Sequence, residues 1–400
     1  MTAGVEPQSW ERLWSLDPAI IFLNHGSFGA CPTAVLRYQA ELRAEMEAEP
    51  VRFLSRELFD RLDVARGALA RFLGADPEDV AFVANATSGV NAVLRSLLLA
   101  PGDELLTTNH AYAACRNALD FVAGRAGATI VVADVPFPLA SAAEVVEAVL
   151  RRVTARTRLA LLDHVASPTG LVLPIARLVA ELAGRGVETL VDGAHAPGML
   201  PLDLRALGAS YYSGNCHKWL CAPKGAGFLY VSPGRRAEIR PLTISHGARA
   251  TRAGRSRFHL EFDWTGTDDP TAHLAVAKAI DYLGGLLPGG WPALMAQNRE
   301  LALEARGILC AALGAPAPCP AEMVGALASV PLPDGTTTDI GWRRPDPLQP
   351  RLLDGWGIEV PIISWPAPPK RLVRVSAQLY NTRAQYTRLA DALTKALVGG

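Results

Sequence analysis

The feature that most constrains the fold is an alternation of two patterns that begins at about residue 79. Short apolar runs rich in β-branched residues recur along the chain, and longer amphipathic stretches separate several of them. Two of the short runs, LALLDHV and ETLV, are apolar on both faces, which is typical of strands covered by helices on both sides. The pattern predicts a doubly wound α/β domain on a mostly parallel sheet, with ligands at the carboxyl ends of its strands.

The alternation assigns a short strand to each apolar run and a helix to several of the stretches between them. The predicted strands are Val80–Ala84, Glu104–Thr108, Thr129–Ala133, Leu159–Val165, Glu188–Val191, Ala209–Tyr212 and Gly227–Val231. The predicted helices are Ser88–Leu99, Ala113–Arg125, Ala142–Arg152 and Ile175–Gly184.

The pattern changes after Arg249, where a loop rich in Arg, Gly and Thr leads into two helical stretches. Short strand-like runs and a closing helix follow, which is an α+β order and predicts a smaller C-terminal domain. We therefore expect three parts. They are an N-terminal arm (residues 1–30) that joins the small domain, a large cofactor-binding domain (31–270) and a small α+β domain (271–400).

Charge and cysteine usage narrow the class of function. Thirty-nine basic residues balance thirty-nine acidic ones, so no field of one sign would attract nucleic acid or an anionic membrane. The six cysteines lack the spacing of a metal site, and we predict no bound metal. A secretory leader and an apolar run of about 18 residues are both missing from the pattern, which predicts a cytoplasmic protein that acts on a small molecule.

Two of the predicted strands lead into residues suited to pyridoxal 5′-phosphate (PLP). Asp192 directly follows the apolar strand ETLV, where a carboxylate can hold a proton on a pyridine nitrogen and so strengthen the electron sink of that cofactor. Lys218 lies one strand later among Tyr212, His217 and Trp219. Desolvation there would lower the pKa of its amine and favour imine formation. Lys224, in a turn-like PKG sequence, is the rival lysine.

Two further segments supply the remaining contacts of such a site. Ala86-Thr87-Ser88-Gly89 stands at a strand-to-helix junction, where free N–H groups and hydroxyls favour a phosphate. Arg374 lies on an apolar strand of the C-terminal part, in LVRVSAQLYN. A guanidinium there can bind a substrate carboxylate through two parallel hydrogen bonds. A helix cap and a salt-bridged arginine are the alternative interpretations of these two segments.

Together, the ordered motifs ATSG, DGAH, NCHKW, WTGTDD and RVSAQLYN resemble the class V aminotransferase family of fold-type I PLP enzymes. The resemblance runs from about Ile21 to about Leu393. The segments LNHGSFGACP, EPVRFLSR and DHVASPTGLVLP are most similar to its isopenicillin N epimerase-like branch. The family implies a homodimer whose two active sites each use residues of both subunits.

The resemblance also implies a role for each matching residue. Lys218 would form the Schiff base, Asp192 would pair with the pyridine nitrogen, and His195 would lie near the phenolic oxygen of the cofactor. The phosphate contacts would come from Thr87, Ser88 and His217, and from Thr267 of a neighbouring subunit. An aromatic ring in TTNHAYAAC should stack on the outer face of the cofactor, with Tyr112 as the first choice and His110 as the alternative. Tyr112 is also predicted to be catalytic.

Three departures from the family pattern bear on activity. Asn215 replaces a serine that contacts the phosphate, and Ser167 replaces an asparagine that contacts the phenolic oxygen. A cysteine desulfurase needs a persulfide-forming cysteine before the RxS strand, yet no cysteine follows Cys319. Because that thiolate is indispensable to sulfur transfer, we expect no desulfurase activity.

The substrate is expected to be an amino acid that binds near Asn24, His25 and Arg374. Lys218 would remove its α-proton, and epimerisation would then require a second acid, for which Tyr112, His110 and His25 are candidates. We rank an epimerase or racemase first, a PLP-dependent C–S lyase second and an aminotransferase third.

Overall fold

The computed structural model describes residues 10–341 and 343–398 of the chain. Seven strands form its main sheet, in the spatial order β2-β8-β7-β6-β5-β3-β4. Only β8 runs antiparallel to its neighbours, so the mostly parallel sheet of the α/β prediction is confirmed. The strands are β1 (Ile21–Phe22), β2 (Val80–Val83), β3 (Glu104–Thr108), β4 (Thr129–Ala133), β5 (Thr157–Asp163), β6 (Glu188–Gly193), β7 (Tyr211–Asn215), β8 (Gly227–Val231), β9 (Leu327–Leu332), β10 (Ile358–Glu359), β11 (Ile362–Ser364) and β12 (Arg371–Ser376).

Helices cover both faces of the main sheet, and further helices belong to the C-terminal part of the chain. They are α1 (His25–Phe28), α2 (Thr33–Ala48), α3 (Leu58–Leu73), α4 (Ala86–Ser96), α5 (Ala113–Ala126), α6 (Ala142–Leu150), α7 (Ile175–Ala183), α8 (Leu204–Leu207), α9 (Arg257–Phe262), α10 (Thr271–Leu274), α11 (Val276–Gly284), α12 (Gly290–Leu313), α13 (Leu348–Trp356) and α14 (Arg383–Val398). A π-helical segment, Arg52–Glu57, connects α2 to α3.

The double burial of the sheet explains why its strands are apolar at consecutive positions. Leu161 of β5 packs in one core cluster with Val93 of α4 and Leu119 of α5. The next residue, Leu162, packs in a second cluster with helices of the opposite face, including Leu178 of α7. Since successive side chains of a strand point to opposite faces, both faces must carry apolar residues.

A second, three-stranded antiparallel sheet has the order β11-β12-β9 and packs against α12. The short N-terminal strand β1 pairs with β10 in parallel, with Ile21 opposite Ile358 and Phe22 opposite Glu359. This pairing supports the proposal that the N-terminal arm joins a small C-terminal domain. Helices α10 and α11 nevertheless pack against α2 and α3, so the proposed boundary at residue 271 runs through a packed region.

Several predicted bounds differ from the observed ones. The first helical stretch after Arg249, predicted at about 271–283, is divided at Ala275 into α10 and α11. Helix α13 lies in a stretch for which the sequence pattern predicts no helix. Pro347 and Pro350 obscured α13 in the sequence. They stand at its N-cap and in its first turn, where a missing N–H breaks no helical hydrogen bond. Within the described residues, no helix is long and apolar enough to cross a membrane.

Candidate active site

A cavity of about 480 Å³ lies at the carboxyl ends of β5, β6 and β7, the position expected for a ligand site in a sheet of this type. Nine of the fourteen predicted site residues line it. They are Thr87, Ser88, Tyr112, Ser167, Asp192, His195, Asn215, His217 and Lys218. The other five, which are Asn24, His25, His110, Thr267 and Arg374, are not among the lining residues.

Lys218 follows β7 and extends its amine toward His195. Its Nζ is 3.1 Å from Nε2 of His195. Desolvation, together with the positive charge of Arg374, lowers the pKa of Lys218 to about 8. An appreciable fraction of the amine is therefore neutral near neutral pH, and a neutral amine can act as a nucleophile or a base.

The protonation of the His195 ring follows from its two neighbours. The indole N–H of Trp219 donates to Nδ1 of His195 over 3.4 Å, so Nδ1 is the acceptor and Nε2 carries the hydrogen. Burial keeps the pKa of His195 well below its usual value, and the nearby Lys218 lowers it further. The neutral ring can thus donate from Nε2 to the lone pair of Lys218, or to an oxygen placed beside that amine.

Two carboxyl groups lie side by side at the base of the cavity. Asp163 and Asp192 end the neighbouring parallel strands β5 and β6 and are in register with each other. Asp192 accepts hydrogen bonds from the backbone N–H of Ala194 at 3.0 Å and the buried thiol of Cys115 at 3.1 Å. Burial and the charge of Asp192 raise the pKa of Asp163 well above its usual value. Because that shift favours the protonated acid, Asp163 adds little negative charge beside Asp192.

The start of α4 forms one end wall of the cavity. Asn85 caps the helix by accepting from the backbone N–H of Ser88 at 2.9 Å, and Asn215 accepts from the N–H of Ala86 at 2.8 Å. The side chain of Asn215 therefore stabilises the helix end. The side chain of Thr87 lines the cavity and is within hydrogen-bond reach of the buried thiol of Cys115. Together with the helix dipole, these groups offer a site for a phosphate.

His217 faces the same end of the cavity. Its Nδ1 donates to the carbonyl of Ala226 over 2.9 Å, which leaves Nε2 available to a ligand. Burial lowers the pKa of His217 to about 4. In the neutral ring Nε2 is an acceptor, so it would donate to a phosphate only after the anion had raised that pKa.

Arg374 lies beside the cavity and is bonded to two of its lining residues. Its Nη1 donates to the carbonyl and the hydroxyl of Ser167, and Nη2 donates to Oγ of Ser27 over 3.0 Å. Its buried Nε has no hydrogen-bond partner among the residues that the structure describes. A buried guanidinium with an unsatisfied N–H is suited to an anionic ligand.

The predicted roles of the two other histidines do not agree with their surroundings. His110 is fully buried, and its ring nitrogens contact Oγ1 of Thr169 at 2.9 Å and the carbonyl of Val135 at 3.1 Å. His25 is likewise buried. Its ring nitrogens are 2.7 Å from the hydroxyl of Tyr380 and 3.1 Å from the carbonyl of Lys218. The ring nitrogens of both histidines contact protein groups and neither residue lines the cavity, so neither is placed to protonate a substrate there. Stacking of His110 on a cofactor stays a prediction.

Two further predictions need correction or stay open. Asn24 is nearly buried outside the cavity, where it bonds to Ser27 and Glu359, so it is not placed to contact a substrate directly. Thr267 is an exposed residue in the loop between α9 and α10. A contact to the phosphate of another subunit stays a prediction, since it concerns a second copy of the chain.

The sequence interpretation missed several lining residues, including Asp163 and Asn85. A signal for Asp163 was present, because LALLD ends in aspartate just as ETLVD does. Asn85 directly precedes the ATSG segment and is the expected type of N-cap. Ser27 and Phe28 belong to NHGSFG, whose position against the cavity depends on contacts that are distant in sequence.

The residues present fit PLP well. A lysine with a lowered pKa, a carboxylate at a strand end and an open phosphate site at a helix N-terminus share one cavity. The lysine would hold the aldehyde carbon, Asp192 the ring nitrogen and the start of α4 the phosphate. The arrangement defines the class of protein as a PLP enzyme of the α/β type.

Comparison with known proteins agrees with that class. The sequence profile of the family described as aminotransferase class-V matches residues 22–317. The chain is 41% identical to isopenicillin N epimerase of Amycolatopsis lactamdurans, covering 95% of this chain and 96% of that protein. It is 30% identical to a probable chloroplastic L-cysteine desulfhydrase of Arabidopsis thaliana, covering 94% and 83% of the two chains.

Among solved structures, the fold is similar to that of a C-DES variant with glycine covalently linked to its PLP cofactor. The TM-score is 0.78 at 22% identity, and the match covers 97% of this chain and 99% of that one. The chain belongs to the class V aminotransferase family, and it is a PLP-dependent enzyme.

Proposed function

We propose that this enzyme epimerises an amino-acid substrate at its α-carbon, as the name of its 41%-identical relative indicates for isopenicillin N. The observation that carries the proposal is that the cavity contains two groups able to carry protons, the amine of Lys218 and the hydroxyl of Tyr112. Lys218 follows β7 and Tyr112 follows β3. Since the sheet order is β7-β6-β5-β3, they approach from the two sides of the strand that carries Asp192.

Inversion at a carbon requires that a proton leave from one face and return on the other. The amine of Lys218, with its pKa lowered to about 8, is suited to remove the proton. His195 would orient the lone pair of that amine through its Nε2–H. Bound PLP supplies the electron withdrawal that makes the α-proton acidic. Arg374 would hold the substrate carboxylate.

Tyr112 is the best candidate for the second acid. Burial raises the pKa of its hydroxyl, so the group is protonated at neutral pH and can donate. It is the one member of the trio Tyr112, His110 and His25 that lines the cavity. The rings of both histidines already contact protein groups.

The test is proton exchange in deuterated water with isopenicillin N and with simple L-amino acids. The proposal requires that deuterium enter the α-position together with inversion of configuration. Tyr112→Phe should slow inversion about 100-fold or more while the variant still exchanges the α-proton with retention. Release of pyruvate and ammonia without inversion would contradict the proposal.

A PLP-dependent C–S lyase is the second candidate, because a desulfhydrase relative is 30% identical over most of the chain. β-Elimination needs α-proton removal by a group such as Lys218 and a leaving group, and it does not require return of the proton on the opposite face. Cysteine desulfurase stays disfavoured. No lining residue of the cavity is a cysteine, and the sequence has none after Cys319.

We also propose a homodimer with shared active sites. A second groove, of about 430 Å³, adjoins the phosphate end of the cavity and shares Ser88 with it. Leu242 lines the groove with 46% of its surface exposed, and Ile244 is 62% exposed nearby. Such apolar surface is typical of subunit interfaces. Sedimentation of the purified enzyme tests this, and a monomer at micromolar concentration would contradict it.

A cytoplasmic location remains part of the proposal. All six cysteines are free thiols and most are buried, as is usual in a reducing compartment.

A further inference from the structure

The guanidinium of Arg374 has five N–H groups, and the protein satisfies only some of them. Nη1 faces two oxygens of Ser167, and Nη2 donates one hydrogen to Ser27. The Nε–H is buried and has no acceptor among the described residues, and Nη2 has two hydrogens but donates to a single oxygen there. In arginine the Nε–H and one hydrogen of Nη2 lie on one edge, which can bind a carboxylate side-on through two parallel bonds.

A chain of hydrogen bonds runs from this guanidinium to a distant carboxylate. The hydroxyl of Ser27 accepts from Nη2 of Arg374 and donates to Oδ1 of Asn24 over 2.5 Å. The amide Nδ2 of Asn24 donates to Oε1 of Glu359 over 2.9 Å. Each donor in this series of hydrogen bonds has one acceptor in the series, so the orientation of each group fixes that of the next.

We call this series of hydrogen bonds, from Arg374 through Ser27 and Asn24 to Glu359, the relay. Backbone contacts hold both of its ends. Glu359 lies in β10, and its carbonyl accepts from the N–H of Leu23 over 2.9 Å. At the other end, the N–H of Gly26 donates to Oγ of Ser376, two residues after Arg374 on the same strand. The turn that carries Asn24 and Ser27 is therefore docked on both β10 and β12.

We propose that Asn24 and Glu359 are positioning residues, which hold the guanidinium of Arg374 in the rotation that presents its Nε–Nη2 edge to the substrate carboxylate. The inference rests on the proposed role of Arg374 as the carboxylate site, and it gives a task to Asn24 and Glu359, neither of which lines the cavity. The hydrogen-bond acceptors of Arg374 in the described part of the chain are oxygens of Ser167 and Ser27 and not carboxylates. Orientation by Ser27 and Ser167 thus takes the place of a counterion, whose salt bridge would compete with the substrate.

A serine alone would not hold the guanidinium of Arg374 in one orientation. A serine hydroxyl rotates freely, and Ser27 could otherwise donate elsewhere and turn its lone pairs away from Arg374. Asn24 fixes this rotation by accepting the hydroxyl hydrogen, and Glu359 fixes which end of the Asn24 amide faces Ser27. Two-bond recognition is sensitive to small displacements of the donor edge, so loss of either residue should weaken carboxylate binding.

The experiment compares two probes that differ only at the carboxylate, L-alanine and L-alaninamide. Each is titrated into the PLP-loaded enzyme, and binding is read from the change in cofactor absorbance without any need for turnover. The ratio of the two dissociation constants measures carboxylate preference. Asn24→Ala should reduce this ratio about tenfold, and Glu359→Ala by a similar factor, while the affinity for alaninamide changes little.

Two further variants separate positioning from general damage. In Glu359→Gln the amide oxygen can still accept from Asn24, so the ratio should stay within about twofold of the unmodified enzyme. Asn381→Ala is the matched control. It removes a buried amide that donates to the carbonyl of Phe22 over 3.0 Å. Phe22 lies in β1, which pairs with the strand of Glu359, but it is outside the relay, so the ratio should stay unchanged.

An unchanged ratio in folded Asn24→Ala and Glu359→Ala would overturn the inference, as would an equal loss in Asn381→Ala. Failure of the epimerase proposal gives a different result, because the carboxylate preference would still fall in the two relay variants although no inversion occurs. If Arg374→Ala itself kept the full preference, the carboxylate site would lie elsewhere and the relay would have no such role.

Discussion

The two sides of the active site are built in different ways. The cofactor side, which we define as Thr87, Asp192, His217 and Lys218, is placed by the ends of strands in one sheet and by the helix that follows β2. The substrate side, defined as Ser27, Ser167 and Arg374, joins segments that are 207 and 347 positions apart. The first is a local property of strand-to-loop junctions, and the second exists only when the whole chain has folded.

The two sides also treat buried charge differently. On the cofactor side opposite charges share the cavity, since Asp192 acts electrostatically on Lys218 and raises its pKa while burial lowers it. On the substrate side burial lowers the pKa of Arg374 to about 10, and its protein partners are neutral oxygens. A cation without a counterion in a buried setting is costly, and a substrate carboxylate would offset that cost.

The largest expected effect is on the cofactor side and concerns the choice between two lysines. Lys218→Ala should abolish covalent attachment of PLP, because Lys218 supplies the amine that lines the cavity. Lys224→Ala is the matched control. The Lys224 amine donates to the carbonyl of Gly29 over 2.8 Å, so attachment should persist. Borohydride reduction followed by mass spectrometry of the intact chain measures both.

A reduced adduct that survives in Lys218→Ala but disappears in Lys224→Ala would reverse the assignment. Loss in both variants, with the fold retained by circular dichroism, would show that attachment also depends on Lys224 and that Lys218 alone does not account for it. Lys218 would then no longer define the cofactor side of the site.

The difference between the sides explains how far the sequence could be interpreted. The ends of β5 and β6 are visible as apolar runs followed by polar residues, so Asp192 could be predicted, and Asp163 could have been. The order of motifs indicated the α/β fold with its mostly parallel sheet, which is confirmed. Strand ends and the order of motifs are predictable because each depends on a few consecutive residues and on general rules for parallel sheets.

The contacts of NHGSFG could not be predicted, for the opposite reason. Asn24 and His25 are polar residues in a loop, and nothing local shows that one contacts Glu359 and the other Tyr380, 335 and 355 positions away. The same holds for His110, whose buried place beside Trp365, with ring centroids 4.6 Å apart, depends on the small sheet. Side-chain direction in a loop follows from tertiary contacts, which a single sequence does not encode locally.

The second prediction tests the junction between the two sides at Gly29. Its φ is +71° and ψ is 153°, a region that only glycine occupies readily. A Cβ there would also collide with the carbonyl oxygen of His217 and approach Cα of Lys218 to 3.0 Å. Gly29→Ala should lower the free energy of unfolding by about 3 kcal/mol or more, from backbone strain plus overpacking.

Gly102→Ala separates these two causes. Gly102 has a φ of +87°, but nothing lies within 4 Å of a Cβ built there. This variant should cost only about 1 kcal/mol, from backbone strain alone. Chemical denaturation of both variants measures the difference. Equal costs would mean that the N-terminal loop does not pack closely on the lysine loop, and that the two sides are coupled less tightly than the contacts indicate.

The third prediction concerns Asp163, within the cofactor side itself. Burial and the neighbouring charge of Asp192 raise its pKa well above the usual value, while in the unfolded chain it releases its proton near pH 4. The folded protein therefore keeps a proton that the unfolded chain has lost, and the free energy of unfolding falls as the pH rises above about 4. This fall ends once the pH passes the folded-state pKa.

Asp163→Asn removes that titration but keeps an oxygen for the N–H of Tyr112, which donates to Asp163 over 3.3 Å. Relative to the unmodified protein, the cofactor-free variant should gain stability as the pH rises from 4 to 8, by at most about 1.4 kcal/mol for each pH unit. Unfolding curves measured across this range test the sign. Parallel pH profiles for the two proteins would mean that Asp163 is ionised beside Asp192, and that this side of the site tolerates two buried negative charges.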